Sequence, residues 1–429
     1  MLNDIIGVYS KVGQSGRQDD DVYDRFSHRW TIIILAVFII AISAKQFVGT
    51  PIECIPPAEF GEEHKAYVEN FCWIHYTYSV DDNTPLTRQM VRGANGSHKT
   101  PYYIWIPYIC LAACLTTWIP AWFWHIVGHH ATFDIPAVIN QLAKMKLTNP
   151  DDRIENLTII AKHYEKAASY AKSTNRSSRN IFRKFISYSM FFAGGGALTG
   201  IYFFVKLLYL INAVGQFFLI NYFFKIDYWY YGQRILYGLF SGRDWVENKQ
   251  FFPRIVYCDF AIRYLGDNNL NYTVQCTLPV NLYNERIFAF YWFWLIFLTL
   301  ITIYGITVWL MQMSYRGRRS FLKKHLRINK QICMKLDECN LFNAFGERYL
   351  GGDGILFLRL VAKNTSPVIG GELLGILWER YQARRNATVA LGIKMGNMKS
   401  SNGDSSFGDE KPPPFDASTL TYNQQPKKN

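Results

Sequence analysis

The sequence predicts an all-α membrane protein with four transmembrane helices per subunit, cytosolic N and C termini, a small disulfide-bridged extracellular domain and a helical cytosolic domain. Three observations indicate this class: four long apolar segments along 429 residues, an uneven distribution of positive charge, and cysteines placed in two of the connections. The clearest segment, residues 287–311, carries no charge over 25 residues. As a helix it would extend about 38 Å, which exceeds the roughly 30 Å of a bilayer core.

The other three apolar segments are less uniform. They are residues 30–48, 102–127 and 200–224. The first contains Lys45 and the third contains Lys206, each near an end, from which a lysine side chain can reach the lipid headgroups. The second contains Pro107 and Pro120, which predict kinks, because neighbouring helices can satisfy the backbone groups that proline frees.

The distribution of Lys and Arg predicts which connections face the cytosol. Residues 1–29, 128–184 and 312–429 hold 33 of the 46 Lys and Arg, whereas residues 48–101 and 225–285 hold 10. Cytoplasmic segments carry an excess of these residues, so both termini and the middle connection are expected inside. The net charge is +13 for the inner segments and −3 for the outer ones. Anionic lipid of the inner leaflet explains this basic balance, and no nucleic-acid partner is required.

Four of the eight cysteines lie in the two connections that the charge distribution places outside. They are Cys54, Cys72, Cys258 and Cys276. Disulfides persist in an oxidising compartment, so these four are expected to be bridged and the other four reduced. Four cysteines allow three pairings.

Distance from the membrane favours one of these pairings. Cys54 lies six residues beyond the first span and Cys276 about ten before the fourth, whereas Cys72 and Cys258 are each more than twenty residues from any span. Joining near with near and far with far gives Cys54–Cys276 and Cys72–Cys258, which ties the two loops together. Pairing within each loop stays open at this point.

These features predict a linear order of segments. The order is an N-terminal pore arm (1–29), first span (30–48), first extracellular loop (49–101), second span (102–127), cytosolic loop (128–199), third span (200–224), second extracellular loop (225–285), fourth span (286–311), cytosolic C-terminal domain (312–396) and tail (397–429). The tail is rich in Ser, Gly, Asn, Pro and Lys, a composition typical of disorder.

The acidic run that precedes the first span has two interpretations. It consists of Asp19, Asp20, Asp21 and Asp24. One interpretation is a solvated turn before the membrane. The other is an acidic mouth that concentrates cations, because charge around a confined opening raises the local counter-ion concentration.

No segment of the sequence predicts an enzyme. The sequence contains no nucleophile elbow, phosphate-binding loop, EF-hand loop or paired C-x2-C motif, so no catalytic, cofactor or metal site is expected. His125, His129 and His130 resemble one histidine box of the membrane di-iron oxygenases. Those enzymes need several boxes to supply their ligands, and the other histidines here are isolated, so a polar cap on the second span is the favoured interpretation.

Two N-glycosylation sequons lie in the predicted extracellular loops, at Asn95 and Asn271. Asn95 is close to the second span, so Asn271 is the favoured acceptor. A glycan on a loop that docks against another protein would obstruct docking. Use of this site therefore bears on function.

Residues 102–108 read YYIWIPY, which is similar to the innexin signature YYQWVPF, although Ile104, Ile106 and Tyr108 replace three of its residues. Further segments that resemble innexins are 19–31, 205–209, 215–218, 252–254, 258–260, 272–276, 278–279, 284–285, 349–351, 353–354, 358–359, 362–364 and 377–378. The resemblance to this family of invertebrate gap-junction proteins covers roughly residues 1–385.

The resemblance implies an assembly and a set of pore residues. It implies an octameric ring around a wide pore, located in the plasma membrane at cell–cell junctions, and head-to-head docking with a ring on the neighbouring cell. It also implies that the N-terminal arm folds into the pore mouth, with the constriction formed by Met1, Leu2, Asn3 and Asp4. The disulfide pairing of the family joins the two outer loops, in agreement with the distance argument.

The predicted spans favour a wide pore over a selective one. They contain no repeated carbonyl-filter motif, no arginine-rich voltage helix and no acidic residue for proton coupling. The favoured function is a subunit of a gap-junction channel that passes ions and small molecules between adjacent cells. The alternatives are an unpaired plasma-membrane channel that releases small solutes, and a tetraspan adhesion or scaffold protein that does not conduct.

Overall fold

The structure is a computed structural model that describes residues 20–75, 77–79, 98–99, 101–130, 134–145, 149–177, 196–224, 227–241, 252–263, 269–328 and 341–401. Its helices are α1 (Val22–Phe47), α2 (Glu62–Ile74), α3 (Ile106–His130), α4 (Ile135–Lys144), α5 (Pro150–Ser177), α6 (Ala197–Phe224), α7 (Tyr228–Phe240), α8 (Pro279–Met313), α9 (Tyr315–Ile328), α10 (Gly351–Asn364) and α11 (Pro367–Ser401). Its strands are β1 (Glu53–Ile55), β2 (Tyr78–Ser79), β3 (His98–Lys99), β4 (Ile255–Arg263) and β5 (Asn269–Thr277).

Four of these helices, α1, α3, α6 and α8, are long and apolar enough to cross a membrane, which confirms the predicted four-span, mostly helical fold. Helix α1 packs against α3 and α8, and α6 packs against the same two helices, so the four close into a bundle. Large apolar side chains on the outside of the bundle, such as Val37, Leu115 and Phe218, are more than half exposed. Such surfaces suit contact with lipid or with neighbouring subunits.

Two of the spanning helices begin earlier than the hydropathy of the sequence indicates. Helix α1 starts at Val22, where the Asp21 side chain accepts a hydrogen bond from the Val22 amide (2.9 Å), and it passes through a π-helical segment, Phe26–Trp30. Helix α8 starts at Pro279 and runs for 35 residues. Both helices therefore extend beyond their uncharged cores.

A polar network ties three helices together in the middle of the bundle. Gln216 of α6 donates from Nε2 to Thr117 Oγ1 of α3 (2.7 Å), and Tyr291 of α8 donates its hydroxyl hydrogen to Gln216 Oε1. All three side chains are buried. In lipid such groups must find partners inside the protein, so the network fixes how α3, α6 and α8 face one another.

A five-stranded antiparallel sheet lies at the end of the bundle where α1 ends and α8 begins. The sequence did not predict this sheet. Its order is β1-β5-β4-β2-β3. Strands β4 and β5 form a hairpin whose register runs from Ile255 opposite Thr277 to Arg263 opposite Asn269. The inward side chains of β4, namely Val256, Cys258 and Phe260, are buried at every second position, as the two-residue period of a strand requires.

Helices α4, α5, α9 and α10 and the start of α11 occupy the other end of the bundle, as the prediction of a helical domain requires. Helix α10 packs against α4 and the spanning helix α6, and its side chains Leu356, Leu358 and Leu360 are fully buried. One compact unit ends at Trp378, and the residues from Glu379 onward form a separate unit.

Candidate functional site

Two disulfides hold the sheet together and join the first and third connections between spanning helices, which were predicted to be extracellular. Cys54 is bonded to Cys276, and Cys72 is bonded to Cys258. Cys54 and Cys276 also face each other across the β1–β5 pair, whereas Cys72 comes from α2 and fastens that helix to β4. All four cysteines are buried. These are the pairs that distance from the membrane favoured, and they exclude pairing within each loop in this structure.

The Asp259 carboxylate accepts hydrogen bonds from two neighbouring strands of the sheet. Tyr78 of β2 donates its hydroxyl hydrogen to Asp259 Oδ1 (3.0 Å), and Thr273 of β5 donates to the same oxygen (2.7 Å). Burial, and next the adjacent Asp259 carboxylate, raise the pKa of Tyr78, so its hydroxyl keeps the hydrogen that makes this bond. The contact ties β2 to the β4–β5 hairpin.

Asn271, the favoured glycosylation acceptor, lies on β5 opposite Ala261 and is exposed. Its position is accessible on one subunit, near the tip of the hairpin. Asn95, the other outer sequon, lies outside the described residues.

The sheet end offers no thiolate to a metal ion. The sulfur atoms of Cys54, Cys72 and Cys276 lie within 4.8 Å of one another, which makes them the one group of this kind among the described residues. All three are consumed in disulfides. A metal site of this type needs deprotonated thiols, so this cluster is structural.

At the opposite end of the bundle, a buried ion pair joins α1 to α6. Lys206 Nζ donates to both carboxylate oxygens of Asp24, at 2.8 and 2.9 Å, and Tyr202 donates to Asp24 Oδ2 at 3.4 Å. Lys206 is 1% exposed and Asp24 5%. Desolvating both charges is costly, so the pair persists because each partner has well-placed hydrogen bonds.

Asp21 extends this pair to α8 and α10. Its Oδ2 accepts a hydrogen bond from the indole nitrogen of Trp309 near the end of α8 (2.5 Å), and its Oδ1 lies 3.4 Å from Lys363 Nζ of α10. The Lys363 ammonium also lies 4.3 Å from the centre of the Trp309 ring, within range of a cation–π interaction. Burial lowers the pKa of Lys363, and the Asp21 carboxylate opposes that shift.

The remaining members of the cluster complete its contacts with the helical domain. His28 Nε2 lies 3.5 Å from Asp20 Oδ2, and Arg25 donates to Asn364 Oδ1 of α10 at 2.6 Å. We call this set the ionic cluster; it comprises Asp20, Asp21, Asp24, Arg25, His28, Lys206, Trp309, Lys363 and Asn364. It brings four helices together at the point where the N-terminal arm enters α1.

The ionic cluster corrects two expectations from the sequence. Asp20, Asp21 and Asp24 are neither a solvated turn nor an acidic mouth, because all three are buried and paired. Lys206 does not extend to lipid headgroups, because its ammonium is enclosed by carboxylates. Helices α1 and α8 extend beyond the predicted spans, and the added turns contain Asp24 and Glu285. Asp19 lies outside the described residues.

Two further contacts fix the helical domain to the bundle. Asp353 Oδ1 of α10 accepts hydrogen bonds from the backbone amide and the hydroxyl of Thr199, both at 2.8 Å, in the first turn of α6. Arg359 donates to the carbonyl oxygens of Gln312 (3.1 Å) and Gly317 (2.9 Å), so it holds the turn between α8 and α9. Burial lowers the pKa of Arg359 to about 10, and it remains a cation at neutral pH.

The predicted pore residues Met1, Leu2, Asn3 and Asp4 lie outside the described residues, as does the tail beyond Ser401. The structure therefore shows the anchor of the N-terminal arm and not the arm itself. Sequence reasoning missed this anchor. The signal that could have found it is Lys206, a charge inside an apolar run, for which a buried partner is the default expectation.

Comparison with known proteins agrees with this architecture. A family model described as Innexin matches residues 20–381. Innexin unc-9 of Caenorhabditis elegans is 31% identical over 364 residues, which cover 85% of this chain and 92% of that protein. Innexin-19 of Caenorhabditis briggsae is 31% identical over 393 residues, which cover 86% of this chain and 88% of that protein. The chain has a four-helix bundle with two disulfides between its first and third connections, and the family model matches nearly its whole length, so it belongs to the innexin family.

Proposed function

We propose that this chain is a subunit of a large-pore gap-junction channel, which passes ions and small molecules between adjacent cells across their plasma membranes. The observation that carries the proposal is the disulfide-linked sheet, which joins both outer connections of an innexin chain into one unit at one end of a four-helix bundle. A rigid unit of this kind is suited to docking against its counterpart on a second cell.

The sheet faces the extracellular space, and the ionic cluster and helical domain face the cytosol. Two observations support this orientation: the disulfides, which persist in an oxidising compartment, and the excess of Lys and Arg in the segments at the opposite end. Both termini are then cytosolic. Lipid surrounds the bundle, whose outer face is apolar.

The subunits form a ring of eight, as the family resemblance implies. The exposed apolar side chains of the spanning helices supply surface for contacts between neighbours. The particle mass of the purified full chain in detergent is expected to be eight times that of one chain. A smaller closed ring would contradict this number without contradicting the channel.

The N-terminal arm lines the pore mouth, with Met1, Leu2, Asn3 and Asp4 at the constriction. The ionic cluster supports this placement, because it fixes the residues from which the arm departs. Asp4→Lys would reverse the charge of every copy in the ring and shift preference toward anions, most strongly at low salt. Permeability ratios for Asp4→Lys and for deletion of residues 2–9 test this. Wild-type ratios in both variants at equal surface expression would place the arm outside the permeation path.

The deciding experiment compares dye transfer between paired cells with dye uptake by single cells, both expressing only this chain. Transfer between pairs is expected for a junctional channel. Uptake without transfer would support the second candidate, an unpaired channel that releases small solutes. The exposure of Asn271 favours that candidate, since a glycan there would obstruct docking. Asn271→Gln would then restore transfer. Neither transfer nor uptake, with normal surface expression, would favour an adhesion or scaffold role.

A further inference from the structure

Helix α9 carries a row of positive charge on its solvent face. Four of its exposed cations, Arg316, Arg319, Lys323 and Arg327, are spaced by three or four residues and so share one side of the helix. Leu322, His325 and Leu326 are buried, and there the helix packs on the domain. We call these four cations the α9 stripe.

The α9 stripe is not neutralised within the part of the chain that the structure describes. Helix α9 contains no Asp or Glu, and no described carboxylate forms an ion pair with any of the four. Arg319 and Lys323, and Lys323 and Arg327, are neighbours one helical turn apart, an arrangement in which like charges destabilise a helix. A polyanionic surface would remove this repulsion.

The stripe lies next to the end of a membrane-crossing helix. Only Ser314 separates the last residue of α8, Met313, from the first residue of α9. Arg359 fixes the turn by bonding to carbonyl oxygens on both sides of it. Arg316 is therefore three residues from the end of the span, within reach of charged headgroups given a screening length of about 8 Å at physiological salt.

A shallow recess beside the α9 stripe is a poorer binding site for phosphate than the open face of the helix. It is lined by Arg318, Arg319 and Asn343, but also by the carboxylate of Glu347. That carboxylate repels an anion entering the recess. Attraction is therefore spread over the open face, and it depends on the density of negative charge in the membrane more than on the identity of one headgroup.

We propose that the α9 stripe binds the anionic headgroups of the inner leaflet and holds α9 against the membrane surface. The proposal rests on the orientation proposed above, in which this end is cytosolic. A cluster of four cations directly following a span is the pattern that anionic lipid attracts. The assigned ligand class is acidic phospholipid, and phosphatidylserine and phosphoinositides are equivalent at equal surface charge.

The test uses the full-length chain in lipid nanodiscs and hydrogen exchange of the α9 amides. Three bilayers are compared: phosphatidylcholine alone, and the same lipid with phosphatidylserine or with phosphatidylinositol bisphosphate at equal total charge. Exchange is expected to be about tenfold slower or more in both anionic bilayers, and the difference should vanish at about 1 M salt. Slowing only with the bisphosphate would replace the diffuse interaction by a specific site and overturn the equivalence.

Matched charge variants separate the effect of the α9 stripe on hydrogen exchange from the effect of net charge. Arg319→Gln, Lys323→Gln and Arg327→Gln combined should abolish the slowing, whereas Lys144→Gln, Lys162→Gln and Lys166→Gln, which are exposed cations of α4 and α5, should leave it. Equal protection in the neutral bilayer would mean that a neighbouring subunit covers α9, and that overturns the proposal. Dye transfer by the wild-type chain is measured separately, so failure of the channel proposal is distinguishable from failure of lipid binding.

Discussion

The two ends of the bundle are held together by different means. At the sheet end, two disulfides and an antiparallel ladder join segments separated by 222 and 186 positions in the sequence. At the other end, the ionic cluster joins α1, α6, α8 and α10 through hydrogen bonds, charge pairs and a cation–π contact, none of which is covalent. The sheet end has a charge pair too, Arg254 with Glu285 at 2.9 Å, but it supplements covalent bonds.

This difference indicates which end can change its arrangement. Covalent links and a paired ladder keep the sheet end in one shape, as the proposed docking requires. Charge pairs can exchange partners when protonation or a bound ligand changes, and they are placed where the N-terminal arm enters the bundle. The end that holds the ionic cluster, which is the inner end in the proposed orientation, is therefore the part of the subunit whose contacts can be reset without breaking a covalent bond.

The largest expected effect comes from removing both disulfides by replacing Cys54, Cys72, Cys258 and Cys276 with Ser. Each native disulfide typically contributes about 2–5 kcal/mol. The sheet end should lose its fixed shape, and dye transfer should be lost even where the chain reaches the surface. Thermal unfolding and non-reducing peptide mapping provide the measurements. Cys114→Ser, which removes a free thiol in α3, is the control. A peptide joining Cys54 to Cys72 would contradict the structure.

The second-largest effect is expected from breaking the buried Asp24–Lys206 pair. Asp24→Leu or Lys206→Met alone leaves one buried charge without its partner, and such single changes cost about 3–5 kcal/mol. The double variant should recover most of that loss, because an apolar pair avoids the desolvation cost. Lys45→Met, at the partly exposed far end of α1, is the matched control and should change little. If both single variants unfold at the wild-type temperature, the Asp24–Lys206 pair does not hold this end of the bundle together.

The sequence predicts those features of the two ends that depend on neighbouring residues, and it misses those that depend on pairing between distant segments. The spans could be predicted because hydropathy is a property of contiguous residues. The disulfide pairing could be favoured because membrane depth ranks the cysteines. The sheet was missed because β1 has three residues and pairs with β5, more than 200 positions away. Its usable signal was the alternation of Val256, Cys258 and Phe260 in β4.

The ionic cluster was missed for a different reason. Lys206 lies in an apolar run and Asp21 in an acidic one, and each has an ordinary explanation by itself, as a lysine near the headgroups and as a solvated acid. Their partners Trp309 and Lys363 come from helices that only the folded bundle brings near. The charge of Lys206 inside an apolar run indicates that a buried partner exists, but which residue it is depends on tertiary packing.

A smaller effect is expected at the contact between Asp353 and α6. Asp353→Ala removes the acceptor for the Thr199 amide and hydroxyl, and loss of a capping side chain typically costs about 1 kcal/mol. The start of α6 should exchange amide hydrogen faster, while α3 and the sheet stay unchanged. Asp353→Asn keeps an acceptor oxygen, so its exchange rate at the start of α6 should lie between those of the wild-type chain and Asp353→Ala. Uniformly faster exchange over the whole chain would show that Asp353 supports the fold at large.

The smallest effect should be a pH dependence confined to the inner end. His325, on the packed side of α9, has its pKa lowered below 6.5 by burial, and next by the cations Lys324 and Arg359. Because the packed state binds the proton less readily than the open state, packing of α9 is more stable above pH 6.5 and weakens as the pH falls below it. Hydrogen exchange of the α9 amides, corrected for the intrinsic rate, should show this weakening on acidification. It should disappear in His325→Gln, and β4 and β5 should not follow it. A pH dependence of equal size at the sheet end would remove the distinction between a covalently fixed end and one held by charge.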